Sequence, residues 1–186
     1  MSCGRWWGRV PWCCSAEVSP DGDVWLVGSQ QPERAELLLR FDGEGWEAIP
    51  GPEGWNPGEL GRYLEFGPDG ALWVKANARG LARFDDPGWT TFTGADGLMR
   101  WGVAGRPFKD LLNVAADGSL WLTGGPPDEG CGGVTHFDGT TWTSYLAGSC
   151  THDLAIAPDG SVWLGAVASS RLHTYVITPE AVAAAE

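Results

Sequence analysis

With 186 residues, of which 43% are apolar and 19% charged, the chain is long enough for one domain with a sizeable core and too apolar to stay disordered. Twelve Lys and Arg against 24 Asp and Glu give a net charge of -12, which excludes nucleic-acid phosphates and anionic membrane surfaces as partners and leaves a cationic or neutral ligand open. No run approaches the roughly 18 apolar residues of a membrane span, so no membrane insertion is expected.

The 28 Gly and 13 Pro, with no apolar spacing of helical period before the last eight residues, predict many short strands joined by tight turns. Residues 3–14, which hold Trp6, Trp7 and Trp12, read as an outer strand standing ahead of the first repeat. The repeat itself begins with a hairpin over 16–19 and 23–28, turned at Asp21-Gly22, a pair that tolerates positive φ. A polar loop over 29–36 leads to a second hairpin, 37–41 and 46–49, so that one unit is four antiparallel strands over 16–50.

The unit returns at 64–94, 111–147 and 154–178, and its central tryptophans, Trp25, Trp73, Trp121 and Trp163, are separated by 48, 48 and 42 residues. A period of this size marks a solenoid, a propeller or an array. The last unit has a third strand at 172–176 but no fourth, and runs into a tail at 179–186. The surplus strand at 5–10 and this gap answer one another, because four-stranded sheets repeated about an axis form a β-propeller. The expected fold is all-β: a single propeller domain over 1–178, of about four four-stranded antiparallel blades. Residues 6–10 would close it by pairing with 172–177. A piece of a larger propeller is the alternative.

The order Gly-Leu-x-Arg-Phe-Asp-x-x-Gly-Trp-Thr-x-Phe over residues 80–92, with PDGALW at 68–73, AADGSLW at 115–121 and PDGSVW at 158–163, resembles the propeller repeat of two-component-regulator sensor proteins. The PDGxLW core is also similar to the repeat of the virginiamycin B lyase group. The resemblance covers about 160 of the 186 residues. Its first member implies a bacterial sensing or ligand-binding propeller, and its second a metal-dependent eliminating enzyme that needs a general base.

Asp21, Asp69, Asp117 and Asp159 each precede Gly in a hairpin turn, where a carboxylate caps its own backbone. The repeating tryptophans read as packing between units. The loops at 29–36, 51–63, 75–80, 94–110, 124–133, 147–153 and 166–171 are long and unlike, and a propeller gathers them on the face opposite the Asp-Gly turns. They carry the candidate ligand residues Trp55, Arg62, Arg79, Trp101, Arg106, Lys109, His152 and Asp153, with Tyr63, Arg100, Asp110 and Arg171 beside them. Aromatic rings mixed with Arg suit an anionic or planar ligand, against the plain alternative of a solvated rim.

His136 and His173 read as solvent-facing strand residues, His136 standing where Arg40 and Arg83 stand in other units. His152 is the one histidine on the variable face, and beside Asp153 it makes no triad. No catalytic residue, metal set or cofactor follows from the sequence: it holds no P-loop, dinucleotide fingerprint or HExxH. A turn centred between residues 140 and 141 sets His136 against Tyr145 and, extended outward, Cys131 against Cys150, which predicts a disulfide there; two free thiols in a reducing cytosol are the alternative. Without an apolar leader the sequence reads as cytoplasmic, or as extracytoplasmic if its start is incomplete. The functional expectation is a non-catalytic ligand-binding or sensing propeller for an unidentified small molecule or protein, with a lyase and a fragment of a larger sensor propeller as the alternatives.

Overall fold

The computed structural model describes residues 12–30, 35–55, 63–76, 80–98, 111–123, 132–168 and 171–185. The chain divides into two compact units, Met1–Phe92 and Thr93–Glu186. In the first unit β1 (Trp12–Val18), β2 (Val24–Gln30), β3 (Ala35–Phe41) and β4 (Trp46–Ile49) form one sheet in chain order. A second sheet repeats the pattern with β5 (Tyr63–Phe66), β6 (Leu72–Ala76), β7 (Gly80–Asp85) and β8 (Gly88–Phe92).

The second unit opens with a single 3-10 turn at Gly94–Asp96. Its first sheet is β9 (Leu112–Val114), β10 (Leu120–Thr123), β11 (Val134–Phe137) and β12 (Trp142–Tyr145); its second is β13 (Cys150–Ile156), β14 (Val162–Ala168) and β15 (Arg171–Ile177). The tail then winds into a short helix, α1 (Pro179–Ala183), capped by the Thr178 hydroxyl accepting the Ala181 N–H.

Local chemistry accounts for the hairpins. Gly22, Gly70, Gly118 and Gly160 take φ of +98°, +82°, +90° and +82°, a region costly for any side chain with a Cβ. Before three of them an Asp Oδ1 accepts the N–H two residues on: Asp69 from Ala71 at 3.1 Å, Asp117 from Ser119 at 2.9 Å and Asp159 from Ser161 at 2.9 Å. In the first sheet Ser19 does this work, its Oγ accepting from the Asp23 N–H at 3.0 Å. The second hairpins use the same device, Asp42 Oδ1 accepting from Glu44 and Gly45 at 2.8 Å each, and Asp138 Oδ1 from Thr140 at 2.6 Å and Thr141 at 2.7 Å.

With the turns set, pairing places Trp25 opposite Arg40, Trp73 opposite Arg83, Trp121 opposite His136 and Trp163 opposite Val176. The core of the first unit joins its two sheets through Trp25, Val27, Leu38, Leu64, Leu72, Val74 and Phe84. The second unit is joined through Trp121, Val134, Leu154, Val162, Leu164 and Ile177, with Val182 of α1 packed against them. Each such side chain contributes about 1.5–3 kcal/mol when fully buried.

Four sequence readings need correction. β1 starts at Trp12 and pairs with β2 through Trp12↔Ser29 and Cys13↔Gly28, so residues 12–14 belong to the first sheet and to no separate outer strand. The remainder of that strand, and with it the pairing of 6–10 against 172–177, lies outside the described residues. Residues 29–30, 35–36, 63, 75–76, 80, 150–153 and 166–168 are strand rather than loop, and Arg171 opens β15. His136 is buried, with 4% of its surface exposed, instead of facing solvent.

Finally, the third sheet pairs His136 with Thr143 and Val134 with Tyr145, two residues away from the predicted register, because the Asp138 cap tightens the turn to Asp138–Thr141. Beyond Tyr145 the chain turns again. Leu146 takes φ +54°, the Ser149 N–H reaches the Leu146 carbonyl at 3.0 Å, and the Gly133 N–H reaches the Ser149 carbonyl at 2.9 Å. The segment before β11 is thereby brought beside Cys150, which is disulfide-bonded.

Gly133, at φ +75°, lies so close to this second turn that a Cβ would collide with the carbonyl oxygens of Tyr145 and Leu146. Gly133→Ala is expected to cost about 2 kcal/mol or more, seen as a thermal midpoint lowered by roughly 4–8 °C; a variant melting with the parent rejects the close approach. We propose Cys131, two residues before Gly133 and outside the described residues, as the partner of Cys150. A non-reduced digest should yield the Cys131–Cys150 cross-linked peptide, and alkylated free Cys131 in the folded protein rejects the pairing.

Candidate functional site

Each unit has a cleft between its two sheets at the Asp-Gly end, floored by the cross-strand pair of a tryptophan and the basic residue opposite it. In the first unit the cleft is small, about 100 Å³, and Arg40 occupies it. The Arg40 Nε–H donates to Asp23 Oδ2 at 2.7 Å, its Nη1 lies 3.6 Å from Asp86 Oδ2 on the neighbouring sheet, and its guanidinium sits 5.6 Å from the centre of the Trp25 ring. The hydrogen bond to Asp23, above all, raises the Arg40 pKa further. The second sheet repeats the arrangement, Arg83 donating to Asp69 at 2.7 Å and Asp85 at 3.0 Å with its guanidinium 5.9 Å from the Trp73 ring.

In the second unit the cleft is about 650 Å³. Three turns meet around it, those of Asp117, Asp138 and Asp159, and α1 walls the fourth side through Pro179 and Val182. Trp121 and His136 form the floor, both buried, with ring centres 4.4 Å apart. Among the described residues the lining contains three carboxylates and neither Lys nor Arg.

All three carboxylates are held below the usual Asp range. For Asp117 burial acts in the opposite sense and is the largest single influence, but the hydroxyl and N–H of Ser119, aided by nearby His136, outweigh it. Asp138 is lowered by the N–H groups of Thr141 and Thr140 and then by His136. Asp159 is lowered by the Ser161 hydroxyl and N–H, the hydroxyl at 2.7 Å. Glu180, close enough to Asp159 to feel its charge, is lowered by the N–H at the start of α1 and by Thr178. The mouth of the cleft is therefore anionic at neutral pH.

The candidate ligand residues that the structure describes lie elsewhere. Trp55 follows a tight turn, its N–H on the Pro52 carbonyl at 3.1 Å, and its half-buried ring packs on the core of the first unit. Tyr63 opens β5, exposed, with the Lys75 ammonium 5.8 Å from its ring centre. His152 and Asp153 sit inside β13, where the pairing slips between Thr151 and Asp153 so that His152 is the bulged residue. The first sheet slips in the same place, between Cys13 and Ser15, which marks the bulge as a feature of the repeat. The Asp153 carboxylate accepts the Leu154 N–H at 3.1 Å. Exposed Arg171 pairs with Ala168.

Arg62, Arg79, Arg100, Trp101, Arg106, Lys109, Asp110 and Cys131 lie outside the described residues. Among the described residues no three His, Cys, Asp or Glu converge as a metal site, and no helix is long and apolar enough to cross a membrane. Sequence reasoning missed the cleft of the second unit; the signal that could have found it was the exchange of Arg40 and Arg83 for His136 opposite an unchanged tryptophan.

No protein-family model matches the sequence, nor does any curated protein. Solved structures do match. YCF48 bound to D1 peptide superposes with a TM-score of 0.56 at 18% identity over 90% of this chain and 51% of that one. The extracellular domain of the hybrid two-component system BT3049 from B. thetaiotaomicron gives 0.53 at 9% identity, over 89% of this chain and 23% of its own. PorZ, a surface component of the type-IX secretion system of Porphyromonas gingivalis, gives 0.51 at 16%, over 89% and 25%. The chain thus spans between about a quarter and a half of the length of these proteins. At such identities the likeness concerns the fold, and it agrees with the repeating antiparallel sheets: the chain is a β-propeller repeat protein.

Proposed function

We propose that this chain is a non-catalytic ligand-binding propeller. The observation that carries the reading is the cleft of about 650 Å³ in the second unit, concave, floored by a buried aromatic pair and rimmed by carboxylates fixed on turns. A few polar groups held rigidly over an apolar floor are what a small-ligand site requires. Trp55 and Tyr63 within the first unit, and His152 and Asp153 within the second, are further candidate ligand contacts in the same proposal. Sensing is the form of binding to which the repeat resemblance leads. His152 stands at a structural bulge and the carboxylate beside it is engaged with backbone, an arrangement that supports binding over catalysis.

The test pairs thermal stability with turnover, using agmatine, tryptamine, inorganic phosphate and virginiamycin B as probes. At least one is expected to raise the melting midpoint by roughly 5–10 °C at about a hundred times its dissociation constant, and to be recovered unchanged. Flat melting curves with all four overturn the proposal. So does consumption of virginiamycin B that is lost with a chelator and in His152→Ala, which would establish the lyase.

A further inference from the structure

Aligned on the tryptophans and Asp-Gly turns, the two clefts are the same place in successive pairs of sheets. Asp21 corresponds to Asp117, Trp25 to Trp121, Arg40 to His136, Phe66 to Ile156 and Gly70 to Gly160, and all of them line their clefts. What differs is the occupant. In the first unit the chain supplies its own guanidinium, which lies over the tryptophan ring and faces carboxylates of both sheets, leaving about 100 Å³. In the second unit the shorter imidazole lies against Trp121, Pro179 stands in the place of Asp86, and about 650 Å³ is left under three carboxylates.

We propose that this larger cleft binds a guanidinium group presented by another molecule, in the manner in which its counterpart holds Arg40. The proposal rests on the binding reading above and names its ligand class.

The chemistry is already displayed within the chain. A guanidinium is planar, weakly hydrated and always charged, so it can stack on an aromatic face while its N–H groups donate to carboxylates at its edge. Asp69 shows how one turn carboxylate serves both demands: Oδ1 accepts the Ala71 N–H, while Oδ2 takes Arg83 at 2.7 Å. Asp117, Asp138 and Asp159 are held through Oδ1 in the same way. An ammonium matches the charge but lacks the plane and the fork. The cleft volume accepts a guanidinium on an aliphatic stem, with Ile156 and Val182 as apolar wall for the stem.

The experiment is an equilibrium titration of the whole chain with agmatine and with the peptide N-acetyl-Gly-Arg-Gly-amide, butylamine and phosphate serving as comparisons. Agmatine should bind at least tenfold more tightly than butylamine, with an affinity that falls as salt rises. Tighter binding of the peptide than of agmatine identifies an arginine side chain as the source, and the reverse a free guanidino compound. His136→Arg places in the cleft the residue that the first two sheets carry there, and should abolish agmatine binding while the melting midpoint holds or rises. Asp117→Asn keeps the oxygen that caps the turn but not the charge, and should weaken binding by about tenfold; it carries the test should His136→Arg fail to fold. Agmatine that does not bind, or that binds both variants as it binds the parent, overturns the proposal. If phosphate or tryptamine binds where agmatine does not, the guanidinium assignment falls and the binding reading stands; if no probe binds, both fall.

Discussion

A single hydrogen bond, from a backbone N–H to the side-chain oxygen of a residue two to four positions earlier, organises each first hairpin. It holds the chain while the following Gly takes its positive φ, and the antiparallel register is then counted outward from the turn. Four residues beyond the turn Asp stands the tryptophan, and opposite it stands the third-strand residue that decides what the mouth of the cleft contains. The first sheet shows how far the device tolerates variation. There Ser19 provides the oxygen, and the acid that meets the guanidinium moves from the position before Gly to Asp23, the one after it. The carboxylates are thus structural first, and their charge is available to whatever enters between the sheets.

The hairpins and their tryptophans were legible because they depend on contacts within a dozen residues: a turn pair, alternation along a strand and a fixed period. The status of His136 was not. Its position predicts the outward reach of Arg40 and Arg83, but those long side chains carry their charge to the edge of the sheet, whereas an imidazole at the same Cα ends against the Trp121 ring. The register of the third sheet failed for a related reason. Counting from the middle of the turn ignores the cap that Asp138 makes, and nothing in the order of residues announces that Leu146 adopts a left-handed conformation.

Burial was the least legible property, since it depends on what lies across from a strand. Trp25, Trp73 and Trp121 are 5%, 5% and 3% exposed, while Trp163, in the same local setting, is 48% exposed beside Val176. The loop residues chosen as ligand contacts suffered similarly. Polar His152, Asp153 and Arg171 suggested irregular chain, yet a bulge lets β13 run on for seven residues with His152 and Asp153 inside it, and Arg171 is the first residue of β15.

Among the described strands, every strand pairs only with strands adjacent to it in sequence. Nucleation therefore requires no long loop to be closed before pairing begins to stabilise it, and the entropic barrier that slows most all-β chains is confined to the later docking of one sheet on the next. A chain built this way is synthesised in the order in which it can fold: as each hairpin is completed its partner strand is already present, so few unpaired edges wait exposed for material not yet made.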